Sequence, residues 1–314
     1  MSQPLISTVR QWYSTLRSSY VQHHNRRRFQ RIVRTPAMKT HPQAPATLCT
    51  LTCHRDVLMY LVAIKSFLTF YRDVAVMVFD DGTLTRADRR LLEQHIQGIG
   101  LYALPGPDDP LDRHVASDRN VGKLQGVLRY ARTHKILLMD SDVIFLKEPT
   151  EVLRWIVEGT AVRWYAQDLS EHHNSKGELK QAFGVSAFPP YFNAGFVGLF
   201  REDLVKDEVR HILEVVAGLP TVKFKEQAAW CVLLGRKAIA PLSERRYVTC
   251  GFRSGTARGG GVVDGQPCFL HFVSGKTHAV NSLYVSCARR VINGLGSPSV
   301  PGRGAAASER ADSG

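Results

Sequence analysis

The sequence predicts an α/β fold, and three observations lead there. Between residues 45 and 293, short apolar runs of strand character alternate with helix-period patterns, as expected of a sheet flanked by helices. Polar and acidic residues gather where each apolar run ends, and in open α/β sheets ligands bind at that carboxyl edge. The 314 residues are 44% hydrophobic and 22% charged, enough chain for one large domain or two small ones. That composition excludes disorder, collagen and coiled coil as descriptions of the whole.

Residues 47–52 (TLCTLT) read as a first buried strand, and a helix follows through Leu58, Leu61, Ile64 and Phe67. Residues 74–79 (VAVMVF) form a second strand that ends in Asp80-Asp81-Gly82, with a helix over 85–97 behind it. A third helix covers 123–133. Residues 135–139 (KILLM) then run as a short buried strand straight into Asp140-Ser141-Asp142, and a second apolar run, Val143-Ile144-Phe145-Leu146, ends at Glu148-Pro149.

The net charge of +13 is uneven. No acidic residue precedes Asp56, whereas nine basic ones do, among them the cluster Arg26-Arg27-Arg28. Residues 1–44 therefore read as a basic arm that ends in a Pro-containing linker, with the near-neutral domain at 45–293. In the arm Leu5, Ile6, Val9, Trp12, Tyr13, Leu16, Tyr20 and Val21 recur at helical spacing, a pattern that either packs on the domain or lies on an anionic membrane surface. Residues 294–314, rich in Gly, Pro, Ser and Ala, read as a disordered tail.

No apolar run approaches the roughly 18 residues of a membrane-spanning helix, and no secretory signal is visible, so a cytoplasmic protein, peripheral on a membrane at most, is expected. The six cysteines lack metal or redox spacing and read as buried free thiols. A nucleic-acid partner is not expected: the basic charge is confined to the arm and no nucleic-acid motif appears in the domain. The Gly-rich stretch 255–261 lacks the spacing of a phosphate loop and reads as a loop beside the site. His172-His173 reads as surface loop.

Asp140 and Asp142 carry the most information. Two carboxylates one residue apart, directly after a buried strand, repel each other unless a cation receives them. Oxygen ligands suit the hard ions Mn2+ and Mg2+, whose remaining positions commonly go to water and substrate phosphates.

The segment resembles the DxD motif of metal-dependent nucleotide-sugar glycosyltransferases of the GT-A fold, in the neighbourhood of glycosyltransferase family 8. Three further segments support the resemblance. Tyr191-Phe192-Asn193-Ala194-Gly195-Phe196 looks like the family's FNAG strand beside the donor sugar. Glu226-Gln227, opening a helix through Trp230 and Leu233, looks like its acidic-Gln pair. Residues 269–276 (FLHFVSGK) look like its late HxxGxxK segment, with Gly275 one place late, Lys276 one place early and Thr277-His278 replacing Pro-Trp.

The resemblance implies a Rossmann-like central mixed sheet flanked by helices and a divalent ion held by Asp140, Asp142 and His271. It implies a nucleotide-diphosphate sugar donor, UDP-linked by preference, near His54, Asp80, Asp81, Lys123, Ser141, Ala194, Gly195, Gly275 and Lys276. Arg55, Arg119 and Asn120 are further donor-site candidates by position. Gln227 is expected at the reacting face with Asn193 orienting the sugar, as in a retaining enzyme. An inverting enzyme would instead need a carboxylate base, for which Asp168, Glu171 and Glu226 are placed. The acceptor is a glycan, a glycolipid or a small molecule. The competing expectations are a non-catalytic GT-A-like module and a protein acting through its basic arm.

Overall fold

The computed structural model describes residues 30–104, 120–169, 176–185, 188–250, 267–273 and 282–296. The expected helix and arginine cluster of residues 1–29, Arg119, Glu171, His172, His173, the 255–261 loop, Gly275, Lys276 and the tail from residue 297 lie outside the described residues. After a 3-10 turn at Gln30–Arg34, the chain order is β1 (Met38–Lys39), β2 (Ala46–Thr52), α1 (Val57–Leu68), β3 (Ala75–Asp80), α2 (Arg86–His95), β4 (Ile96–Gln97) and β5 (Gly100–Ala103). Next come α3 (Val121–Tyr130), β6 (Lys135–Met139), β7 (Val143–Phe145), α4 (Thr150–Val157), β8 (Arg163–Gln167), α5 (Lys176–Phe183) and β9 (Phe192–Phe200). The chain continues through α6 (Lys206–Gly218), α7 (Lys225–Gly235), β10 (Ile239–Pro241), β11 (Tyr247–Cys250), β12 (Phe269–Phe272) and α8 (Ser282–Gly296).

Among the described residues, seven strands form the central sheet in the order β10-β8-β9-β6-β2-β3-β5. It is mixed, as expected: β9 runs antiparallel to both β6 and β8, while β6, β2, β3 and β5 are mutually parallel. A smaller sheet, β11-β12-β7, lies beside it. Alternation assigns the side chains of the inner strands to two cores, one on each face of the sheet. From β6, Leu137 and Met139 enter the first core with α1, α4 and α8, and Ile136 and Leu138 enter the second with α3, α6 and α7. From β9, Phe196 and Phe200 go to the first core, and Val197 and Leu199 to the second.

Four segments differ in their bounds from the sequence reading. Residues 30–44, placed in the arm and its linker, belong to the domain: Ile32 is fully buried in the first core and β1 pairs in parallel with β4. The helix expected over 85–97 is shorter at both ends, because Thr85 is its cap, closing a capping box with Asp88, and Ile96-Gln97 leave it to form β4. The helix expected from residue 123 starts at Val121 and stops at Tyr130, where Ala131 turns extended. At the C-terminal end, α8 runs to Gly296, past the expected boundary of the tail. Five cysteines are buried and Cys53 is half-buried, all of them free. No helix among the described residues is long and apolar enough to cross a membrane.

Candidate active site

β6 delivers the acidic pair to the edge of the sheet. The chain turns at Asp140-Ser141-Asp142 and enters β7, which pairs antiparallel with β12 so that His271 lies opposite Val143. The Phe272 amide donates to the Asp142 carbonyl at 3.0 Å, and the Asp140 amide donates to the Gly195 carbonyl at 2.8 Å. Backbone pairing thus fixes β6, β9 and β12 around one point. There His271 Nε2 stands 3.2 Å from Asp142 Oδ1 and 3.8 Å from Asp140 Oδ2. One potential ligand atom from each of the three residues lies within 4.8 Å of the others.

These residues fit a divalent ion. Two carboxylates and an imidazole, with one donor atom from each within 4.8 Å of the others, are a donor set suited to a hard divalent ion such as Mn2+ or Mg2+. His271 is almost fully buried, whereas the Asp140 side chain is 37% exposed, so the site opens outward on the carboxylate side. Burial works against a charged ring at His271, but the Asp142 carboxylate outweighs it and raises the pKa above the ordinary histidine value. Gly195 makes the arrangement possible: a Cβ there would overlap the His271 ring.

On the inner side, Lys123 comes from α3. Its ammonium, 3% exposed as a residue, donates to Asp140 Oδ1 at 2.7 Å and to the Ala194 carbonyl at 3.1 Å, and pairs with Glu226 Oε1 at 3.2 Å. Burial disfavours the charge, but Asp140 and then Glu226 outweigh it and hold the amine protonated. Glu226 is itself pushed up to about 7 by burial, with Lys123 opposing, and accepts from Trp230 Nε1 at 2.6 Å one turn along α7.

Asp168, at the end of β8, gathers the two amide side chains. Asn193 Nδ2 donates to its Oδ2 at 3.1 Å and Gln227 Nε2 to the same oxygen at 3.4 Å. Their carbonyl oxygens face the other way, taking the Gly195 amide at 2.7 Å and the Ala194 amide at 3.3 Å. Tyr191, whose carbonyl accepts from the Asp168 amide, takes φ 50°, a left-handed conformation uncommon outside glycine and asparagine. Such strain is characteristic of a position that the surrounding structure over-determines.

The structure therefore brings Lys123, Asp140, Asp142, Asn193, Ala194, Gly195, Glu226, Gln227 and His271 together. Ser141, beneath them, reaches Thr52 Oγ1 at 3.3 Å. The other candidates are engaged in turns. Asp80 accepts from the Gly82 and Leu84 amides and from Arg89, and Asp81 accepts from Thr83. His54 Nδ1 lies 2.6 Å from Asp88 Oδ2, and Arg55 pairs with Asp56. Asn120 makes no side-chain cap at the start of α3. Sequence reasoning offered Asp168 only as a base and missed it as the holder of Asn193 and Gln227. The Glu226–Trp230 contact was also missed, although its i,i+4 spacing on a helix could have shown it.

Solved structures share this architecture. The galactosyltransferase LgtC, crystallised with donor and acceptor sugar analogues, superposes with a TM-score of 0.54 at 16% identity, over 80% of this chain and 95% of LgtC. The bifunctional glycosyltransferase WbbM gives 0.53 at 11% identity, over 82% of this chain and 51% of WbbM. GlyE of Streptococcus pneumoniae TIGR4 gives 0.52 at 14% identity, over 81% of this chain and 65% of GlyE. No family model and no curated protein sequence matches the chain. At these identities the likeness speaks for architecture alone, and on the mixed sheet and these superpositions the chain has the GT-A fold.

Proposed function

We propose that this protein is a metal-dependent glycosyltransferase that takes a sugar from a nucleotide-diphosphate donor, UDP-linked by preference, and transfers it to a glycan, glycolipid or small hydroxylic acceptor. The observation that carries the reading is the convergence of Asp140, Asp142 and His271 beside Lys123 and Gln227, on a GT-A fold. Asp140, Asp142 and His271 would hold Mn2+ or Mg2+. When bound, such an ion supplies Lewis-acid stabilisation of the negative charge growing on the leaving diphosphate.

The chain's own groups do the rest. Lys123 neutralises one of the carboxylates, so that Asp140 and Asp142 can stay ionised side by side. Asp168 fixes the orientation of the Asn193 and Gln227 amides, which present hydrogen-bonding atoms to the sugar without reorganising during reaction. We assign Gln227 to the reacting face of a retaining enzyme, and Lys276 to the diphosphate. We also place the protein in the cytoplasm, with the basic arm resting on an anionic membrane surface.

The test is nucleoside-diphosphate release from a panel of UDP- and GDP-sugars with Mn2+, Mg2+ or EDTA. Turnover with one donor, abolished by EDTA and reduced at least about a hundredfold in Asp142→Asn with unchanged melting temperature, is expected. Turnover indifferent to EDTA, or to Asp142→Asn, would remove the metal mechanism. No turnover and no nucleotide binding would favour the non-catalytic module. NMR of the first-formed product decides the stereochemistry, and an inverted anomer would withdraw the role of Gln227.

A further inference from the structure

Away from the acidic edge, α1 carries a lysine with no access to solvent. Lys65 is fully buried in a helix otherwise devoted to the first core, and its ammonium donates to Thr35 Oγ1 at 2.8 Å, to the Pro36 carbonyl at 2.7 Å and to His95 Nδ1 at 2.9 Å. His95, the last residue of α2, is also buried, and the Val33 backbone hydrogen-bonds to its ring. Thr35 in turn donates through both its amide and its hydroxyl to the Ile32 carbonyl. Val33, Thr35 and Pro36 are thus clasped to α1 and α2 by one ammonium and one imidazole.

We propose that Lys65 and His95 form an acid-released latch, holding residues 32–36 against the domain while His95 is neutral and letting go when it takes a proton. A ring nitrogen that accepts from an ammonium cannot carry a hydrogen, so the cluster requires the neutral ring with its proton directed at the Val33 carbonyl. Protonation removes that acceptor and sets two positive charges within hydrogen-bond distance in a buried place.

Among the described residues no carboxylate acts on either group. Arg31, Arg34, Lys39, His41, Arg86, Arg90 and Glu93 on the adjoining elements are exposed, as are Arg289 and Arg290 on α8, while Arg55 pairs with Asp56, Arg89 with Asp80 and Asp88 with His54. Burial also lowers both groups, Lys65 to about 8 and His95 below the ordinary histidine value with Lys65 adding to it. Acid must therefore work against native contacts, and the easiest relief is to release the segment they hold. The inference does not depend on the proposed enzymatic activity.

Hydrogen exchange on the full chain tests it, with rates corrected for the intrinsic effect of pH and the β2 amides as the control for global opening. Between about pH 7.5 and about pH 5, protection of the Thr35 and Thr40 amides is expected to fall at least tenfold while β2 stays protected. His95→Gln, which keeps one donor and one acceptor, should reduce that fall to less than about twofold. In the unmodified protein, nitrogen NMR of His95 should show the neutral ring with Nδ1 unprotonated at neutral pH, titrating together with the loss of protection. Protection independent of pH, an undiminished acid response in His95→Gln, or a ring protonated on Nδ1 at neutral pH would each overturn the latch.

Discussion

At Gly195 the site accepts no side chain larger than hydrogen. A methyl there would overlap the His271 ring and come within 2.8 Å of both His271 Nε2 and Asn193 Oδ1. Gly195→Ala should therefore turn the imidazole away from Asp142 and lower Mn2+ affinity by about ten- to a hundredfold, as displaced supports of metal ligands do, with a loss of about 1–3 kcal/mol of stability from overpacking. Isothermal titration with Mn2+ reads this, and undiminished affinity would remove His271 from the ligand set. Much of the site was legible at this scale, because Asp140, Asp142, Asn193, Gln227 and His271 stand in short local motifs. The role of Asp168 was not, since it depends on partners from β9 and α7 that no local spacing connects to β8. Asp80 shows the converse: its place after a strand matched a donor site, and in the structure its carboxylate holds the β3–α2 turn.

Single elements are fastened by cations as well as by apolar faces. Lys135 opens β6, and its buried ammonium donates to the carbonyls of Trp155, Ile156 and Glu158 at the end of α4. That position opposes the negative end of the helix dipole and satisfies carbonyls that α4 leaves unpaired. Lys135→Met keeps the length and removes the donors, so a loss of about 2–3 kcal/mol in denaturant unfolding is expected, with metal binding retained. A loss below about 0.5 kcal/mol would mean that water replaces the ammonium without penalty. The main elements were readable because their signals are local, from the apolar run 136–139 of β6 to the capped start of α2. The pairing of β1 with β4 was not, because it joins a stretch resembling a linker to two residues that continue a helical pattern. Only the approach of the two segments in space decides that they are strands.

Across the whole molecule, the candidate metal centre sits where the two sheets meet, and each of its three ligands belongs to a strand end or a turn anchored in the first core. Trp155 and Trp164 report on that core, and Trp230 on the core across the sheet. Since β6 and β9 send side chains into both, the two cores should unfold together in one transition. A ligand that binds only the folded state raises its stability by about 2.7 kcal/mol at a hundredfold excess over Kd. Mn2+ with the cognate nucleoside diphosphate should accordingly raise the melting temperature by roughly 5–10 °C, with tryptophan fluorescence and far-UV dichroism shifting in parallel. The shift should vanish in EDTA and in Asp142→Ala. If the two probes separated on ligand addition, the cores would be independent units and the site would stabilise only the face that holds its strands. Coincident probes would show instead that the strands shared by both faces transmit the stabilisation through the sheet.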